Sequence, residues 1–188
     1  MRTAALFAFA LLTACTSTRS MRCGDTAAPH PPRNFGVVIP GIDRGGQPVT
    51  CGELAYLRGQ GVKSILKLND RGLPLDRDEE QRAAALGLNI RSFAFDAKNI
   101  GTPPTCTAVR AAMAFLTDQA NWPVFVHCSA GKDRTGYLVG LYEKTVLGKP
   151  AADVLAELHR YGHKAVRSAV MGQIDDELAK DRPACAGD

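Results

Sequence analysis

The sequence predicts an α/β fold: a single domain with a central, mostly parallel sheet of about four to five strands, flanked by helices. Three observations predict it. A chain of 188 residues with 45% hydrophobic content is enough for one domain with a real core, plus a short appendage. Short apolar runs such as 37-VVI-39, 63-KSILKL-68 and 123-PVFV-126 alternate with longer segments of helical character. That alternation joins parallel strands through crossover helices. Finally, three apolar runs stop at polar residues: Leu68 before Asn69-Asp70-Arg71, Phe95 before Asp96, and Val126 before His127-Cys128. Parallel strands bring such ends to one edge of the sheet, where open α/β sheets bind ligands.

In order along the chain, Val37 to Ile39 reads as a strand stopped by Pro40-Gly41. A second short strand runs through Ile42 to Arg44, before the turn 45-GGQP-48. The segment 50-TCGELAYLRGQG-61 opens with a capping box, Thr50 with Glu53 three residues on, and ends at Gly59 and Gly61. Residues 63–68 form a strand, and 77-RDEEQRAAALG-87 a helix with acids early and glycine last. A strand over 89-NIRSFAF-95 leads into the loop 97-AKNIGTPP-104. An alanine-rich helix over 105–119, a short buried strand over 123–126, and helices near 134–147, 151–160 and 166–180 complete the chain.

The net charge of +4 is mild, and no basic stripe is interleaved with aromatics, so nucleic acid is not an expected partner. No metal site is expected either, since the four histidines have no acidic or cysteine partners at ligand spacing. His159 and His163, with Arg160, Lys164 and Arg167, read as cations suiting a helix end.

The N-terminus is a separate object. A short positive start, Met1-Arg2-Thr3, precedes an apolar run from Ala4 to Leu12 that is too short to span a bilayer. It ends in 12-LTAC-15, which resembles a bacterial lipobox. The resemblance implies a signal peptide over 1–14 and lipid on Cys15, which would anchor the chain to a membrane. Thr16 in place of aspartate implies, by likeness to lipoprotein sorting, the periplasmic side of the outer membrane. A start at Met21 would leave no signal. Residues 15–33, polar and proline-rich, read as a flexible tether, and 183–188 as a tail. Of the remaining cysteines, Cys51 and Cys106 are expected to be buried free thiols, while Cys23 and Cys185, near the two ends, are candidates to pair with each other.

The chemistry concentrates in 124-VFVHCSAGKDRTGYLVG-140. A strand delivers Cys128 into a tight bend from which a helix leaves near Arg134. A helix N-terminus presents free N–H groups and partial positive charge, and successive inward amides form an anion nest. Gly131 allows the curl, and Arg134 adds a planar fork that grips two oxygens. Helix termini and cations also favour thiolates, drawing cysteines from about 8.5 to about 3.5–7.5 in known cases. One bowl thus serves both nucleophile and oxyanion.

The stretch 127-HCSAGKDRTG-136 resembles the Cys-x5-Arg loop of the protein tyrosine and dual-specificity phosphatases, closest to the small atypical members of bacteria, plants and fungi. The segments 44-RGGQP-48 and 61-GVKSILKLND-70 are also similar to theirs. The resemblance implies a dual-specificity-phosphatase-like domain over 34–182, working without cofactor as a monomer. In it Cys128 forms a cysteinyl-phosphate, and Arg134 binds phosphate and stabilises the transition state. Ser129, Ala130, Gly131, Lys132 and Asp133 supply loop amides, Thr135 offers its hydroxyl to the sulfur, and His127 orders the loop through hydrogen bonds. The family's general acid is an aspartate about thirty residues ahead of the cysteine, which points to Asp96, with Asp133 as the rival and Asp70 as a weaker candidate. Lys132 is either a second cation at the mouth of the bowl or a solvated surface lysine. Arg71 and Lys98 are further cations on adjoining loops.

Four functions compete: a phosphatase for phosphotyrosine or mixed phosphoesters, the same catalyst turned to phosphoinositides or inositol phosphates, a rhodanese-type sulfurtransferase, and a non-catalytic phospho-binder. Arg134-Thr135-Gly136 and Asp96 favour a phosphatase over the sulfurtransferase, and Cys128 argues against a pure binder.

Overall fold

The computed structural model describes Cys23 and residues 28–70, 72–164 and 169–187. The expected signal segment, lipidated Cys15, Met21 and Arg71 lie outside the described residues. Five strands, β1 (Gly36–Ile39), β2 (Ile42–Gly46), β3 (Ser64–Lys67), β4 (Asn89–Ser92) and β5 (Val124–Cys128), form one sheet in the order β1-β2-β5-β3-β4. Only β1 runs antiparallel, to β2; the other neighbours are parallel. Among the described residues six helices flank it: α1 (Cys51–Gly59), α2 (Pro74–Ala85), α3 (Pro103–Thr117), α4 (Asp133–Thr145), α5 (Ala151–Arg160) and α6 (Ala169–Ala179).

Strand alternation sorts the core into two layers. Ile65 and Phe125 face α1 and α2, joining Leu54, Leu57 and Ala83. Leu66, Val124 and Val126 face the other way, onto Val109 and Leu116 of α3, Leu138 and Leu141 of α4, and Leu158 of α5. α4 is sandwiched between the sheet and the α5–α6 pair, which explains why nearly its whole length is buried.

The expected elements are present, with shifted ends. α2 and α3 each start at a proline, Pro74 and Pro103, earlier than helical periodicity indicates. Proline suits the first turn because its missing N–H would have no partner there. β4 ends at Ser92 and Phe93 N makes a last bond to Lys67 O at 2.9 Å, so Ala94 and Phe95 leave the sheet before Asp96. The α1 capping box forms as the sequence predicts. Thr50 Oγ1 accepts from Glu53 N at 3.2 Å, and Glu53 Oε2 accepts from Thr50 N at 2.8 Å.

Both expectations about the cysteines are corrected. Cys23 bonds Cys51, and Cys106 bonds Cys185. Neither Cys51 nor Cys106 is a free thiol, and Cys23 does not pair with Cys185. The sequence gives no distances between cysteines, so only folding decides which meet. The bonds also tie both end segments to the body of the fold. Within the stretch read as a tether, Cys23 is tied to α1, Pro32 is buried and His30 N donates to Gly52 O at 3.3 Å. In the stretch read as a tail, Cys185 is fully buried.

Candidate active site

Cys128 is the last residue of β5, pairs with Gly46 in register, and is 3% exposed. It is the free cysteine among the described residues. α4 begins five residues later, at Asp133, and the intervening bend curls back over the end of β2. Gly131 has φ +73°, and a β-carbon there would collide with the backbone of Gly45 and Gly46. Both conditions require glycine.

Three consecutive carbonyls of the bend are held from outside. Ser129 O accepts from Gln47 N at 3.3 Å and from Arg33 Nη2. Ala130 O and Gly131 O face Asn34 Nδ2 at 3.5 and 3.0 Å. Gly131 O also accepts from Arg44 Nη2 at 3.1 Å. In a planar trans peptide the next N–H points opposite to the carbonyl. Anchoring the three oxygens outward therefore turns the amides of Ala130, Gly131 and Lys132 inward, toward the side of Cys128. Arg33, Asn34 and Arg44 were not singled out from sequence. Their contacts span about ninety or more positions, and the only local signal was 44-RGGQP-48.

Arg44 is 1% exposed, and its guanidinium lies over the Tyr161 ring, 3.8 Å from the centroid. Burial lowers its pKa, while Tyr161, Glu157, Glu143 and Cys128 pull the other way. It is thus a buried cation within electrostatic reach of the Cys128 sulfur. Arginine holds its proton in such settings.

A cleft of about 650 Å³ opens above Cys128. It carries Asp70 from beyond β3, Asp96 and Lys98 from beyond β4, and Asp133 and Arg134 from the start of α4. The three strand ends predicted to converge do so. Arg134 Nη1 donates to Leu68 O at 3.3 Å, which fixes the plane of the fork. Asp96 is exposed. Its Oδ1 accepts from Lys98 N at 2.9 Å, and its Oδ2 from Asn99 Nδ2 at 3.1 Å. Asp133 Oδ1 is 2.6 Å from His163 Nδ1. Asp70 Oδ1 accepts from Gly72 N at 2.9 Å. Thr135 is fully buried, and its hydroxyl makes no hydrogen bond among the described residues.

Two side chains lie elsewhere than expected. Lys132 packs against Gly162 and does not line the cleft, whereas Lys98 lines it together with Arg134. His127 does not bond the bend. Its Nε2 lies 2.9 Å from Glu79 Oε1 on α2, with both side chains buried. Alternation along β5 explains this. His127 shares the face of Phe125, on which it stacks at 5.8 Å, while Cys128 shares the face of Val126. The α2 side still reaches the bend indirectly. Gln47, whose backbone holds Ser129, donates to Asp76 and Glu79 at 3.2 and 2.7 Å and accepts from Asn69 at 3.1 Å. Lys67, fully buried, lies 3.3 Å from Asp76 and 3.1 Å from Glu80. Burial opposes its charge, but Glu79, Glu80 and Asp76 outweigh it and raise its pKa.

Residues 29–186 match the model of a tyrosine phosphatase family. The chain belongs to that family. It is 35% identical over 117 residues to inositol diphosphatase DSP4 of Arabidopsis thaliana, a match covering 61% of this chain and 57% of that protein. The chain thus spans little more than half the length of the curated relatives it matches first. In fold it is similar to the catalytic core of the PP-IP phosphatase SIW14 from S. cerevisiae, with TM-score 0.65, 24% identity, and coverage of 79% of this chain and 87% of that one. It is also similar to P. aeruginosa TpbA, with TM-score 0.59, 20% identity, and coverage of 78% and 89%.

Proposed function

We propose that this chain is a cysteine-dependent phosphomonoester phosphatase acting through a cysteinyl-phosphate, with phosphotyrosine or mixed phosphoesters as substrates. The observation that carries it is the set of three outward-held carbonyls at 129–131, which leaves inward amides and Arg134 around the Cys128 sulfur. An oxyanion seated there lies directly before the nucleophile.

The Cys128 thiolate attacks phosphorus, and the bond from phosphorus to the leaving oxygen breaks. Asp96, on the rim, gives that oxygen its proton. Water then attacks the cysteinyl-phosphate and passes its proton to the Asp96 carboxylate, and the S–P bond breaks to release phosphate. Arg134 and the amides stabilise the charge on the equatorial oxygens in both steps. The unpartnered Thr135 hydroxyl is available to the departing sulfur. Asp133 is less suited to the acid role because His163 already engages it.

A second reading, hydrolysis of inositol phosphates, draws support from the inositol diphosphatases among the relatives and from a second cation, Lys98, lining the cleft with Arg134. The paired disulfides support an exported chain, and the lipid anchor on Cys15 rests on the likeness of 12-LTAC-15 to a lipobox. The test is turnover of p-nitrophenyl phosphate, insensitive to EDTA and blocked by vanadate, followed by a panel of phosphotyrosine peptides, phosphothreonine peptides and inositol phosphates. Sulfur transfer from thiosulfate to cyanide without phosphatase turnover would replace the reading with a sulfurtransferase.

A further inference from the structure

Asp133 presents a problem for an anion site. It lines the cleft a few residues from Cys128, and a bare carboxylate there repels a phosphate dianion. The fold answers with a residue thirty positions away. His163 has a fully buried side chain, and its Nδ1 is 2.6 Å from Asp133 Oδ1. Its other ring nitrogen, Nε2, lies 3.5 Å from Asp175 Oδ1 on α6. His159 of α5 stacks on the same ring at 6.0 Å and reaches Asp175 Oδ2 at 3.2 Å. Asp133, His163, Asp175 and His159 thus form a continuous chain from the cleft to the surface. α4, α5 and α6 converge on it, with Lys132 close by against Gly162.

We propose that His163 is a positioning residue for substrate binding: by donating from Nδ1 to Asp133, it screens and turns aside the one carboxylate built into the phosphate bend. This deepens the phosphatase reading and rests on it. The role is specific. A histidine placed only to fill space would not need a carboxylate at each ring nitrogen. Burial of His163 also keeps water from loosening the contact, so the screening is a fixed property of the site. Asp175 stands behind the ring, 3.5 Å from Nε2 and without a hydrogen bond to it, so the close polar contact of His163 is the one at Nδ1, with Asp133. Because the contact changes the potential where phosphate sits rather than the chemistry at sulfur, its loss falls on binding.

The test is a pair of variants read by KM, kcat and the dissociation constant of tungstate. His163→Leu is expected to raise KM and the tungstate constant about tenfold, the scale of one unscreened charge at partly buried range, with a smaller change in kcat. Adding Asp133→Asn removes the carboxylate and is expected to restore both. An unchanged KM in the single variant, or a double variant as weak as the single, overturns the proposal. Should His163→Leu fail to fold, proton NMR of the unmodified chain decides instead. A downfield ring N–H resonance that moves when tungstate binds supports the contact, and its absence or indifference to tungstate overturns it. Tungstate binding needs no turnover, so these outcomes separate from failure of the phosphatase reading, which shows as no hydrolysis of p-nitrophenyl phosphate by the unmodified chain.

Discussion

The Arg44 guanidinium, buried beneath the bend that follows Cys128, donates from Nη2 to the Gly131 carbonyl at 3.1 Å. Gly131 is the residue whose φ of +73° lets the bend close over β2. The cation and the glycine therefore act together: one makes the curl possible, the other holds its oxygen outward.

Replacing Arg44 with Leu should cost both activity and stability. It removes a hydrogen bond from a charged donor, worth about 1.5–3 kcal/mol, and frees the Gly131 carbonyl to turn. The expected result is a fall in kcat of at least about tenfold, larger than the change in KM, measured on p-nitrophenyl phosphate. An unchanged kcat would mean that Asn34 is enough to hold the Gly131 carbonyl.

Cys128→Ser should abolish turnover while leaving tungstate binding intact, because the amides and Arg134 remain. Calorimetric titration checks the binding, and a steady-state assay the loss. Full activity in this variant would end the covalent mechanism.

Asp96→Asn should slow alkyl phosphates by roughly 10²–10⁴-fold, the usual contribution of a general acid, and p-nitrophenyl phosphate much less, since that leaving group needs little protonation. An equal loss for both substrates would move the acid role to Asp133.

The Cys106–Cys185 bond closes a separation of 79 residues between α3 and the C-terminal segment. In the chain-entropy view a loop of that length is worth about 4.5 kcal/mol. Reduction, or a Cys106→Ala and Cys185→Ala pair, should lower the urea midpoint accordingly. A midpoint unaffected by dithiothreitol would refute the bond's role in stability.

Lys67 should make the fold sensitive to alkali. Its folded pKa is raised, so its stabilising contribution is complete below the ordinary lysine value of about 10.4 and is lost as pH rises through the higher folded value. Lys67→Met should cost about 3–5 kcal/mol, because it takes a buried cation away from the buried carboxylates of Asp76 and Glu79. Urea unfolding of both forms at neutral and alkaline pH measures the difference.

Much of the site was legible along the chain because its parts are local. Cys128, Gly131 and Arg134 fall within one strand–bend–helix unit, and the alternation of β5 could have placed His127 on the α2 face. Asp96 was readable as a polar residue at a strand end. Residues whose role depends on distant contacts were not readable. Asn34 and Arg33 sit in a stretch whose composition suggests a tether, and His163 sits at a helix end where a cation has an ordinary explanation.

Local patterns along the chain specified the largely parallel sheet, the succession of strands and helices, the capping box at Thr50 and the cysteine bend, since periodicity, caps and glycine requirements act over a few residues. The tertiary structure alone decided which cysteines pair, which groups hold the bend's carbonyls outward, that Lys98 rather than Lys132 lines the cleft, and that His163 meets Asp133. Those are contacts between segments brought together by packing. No local preference encodes such a distance; it emerges when the two layers of the core close on the sheet.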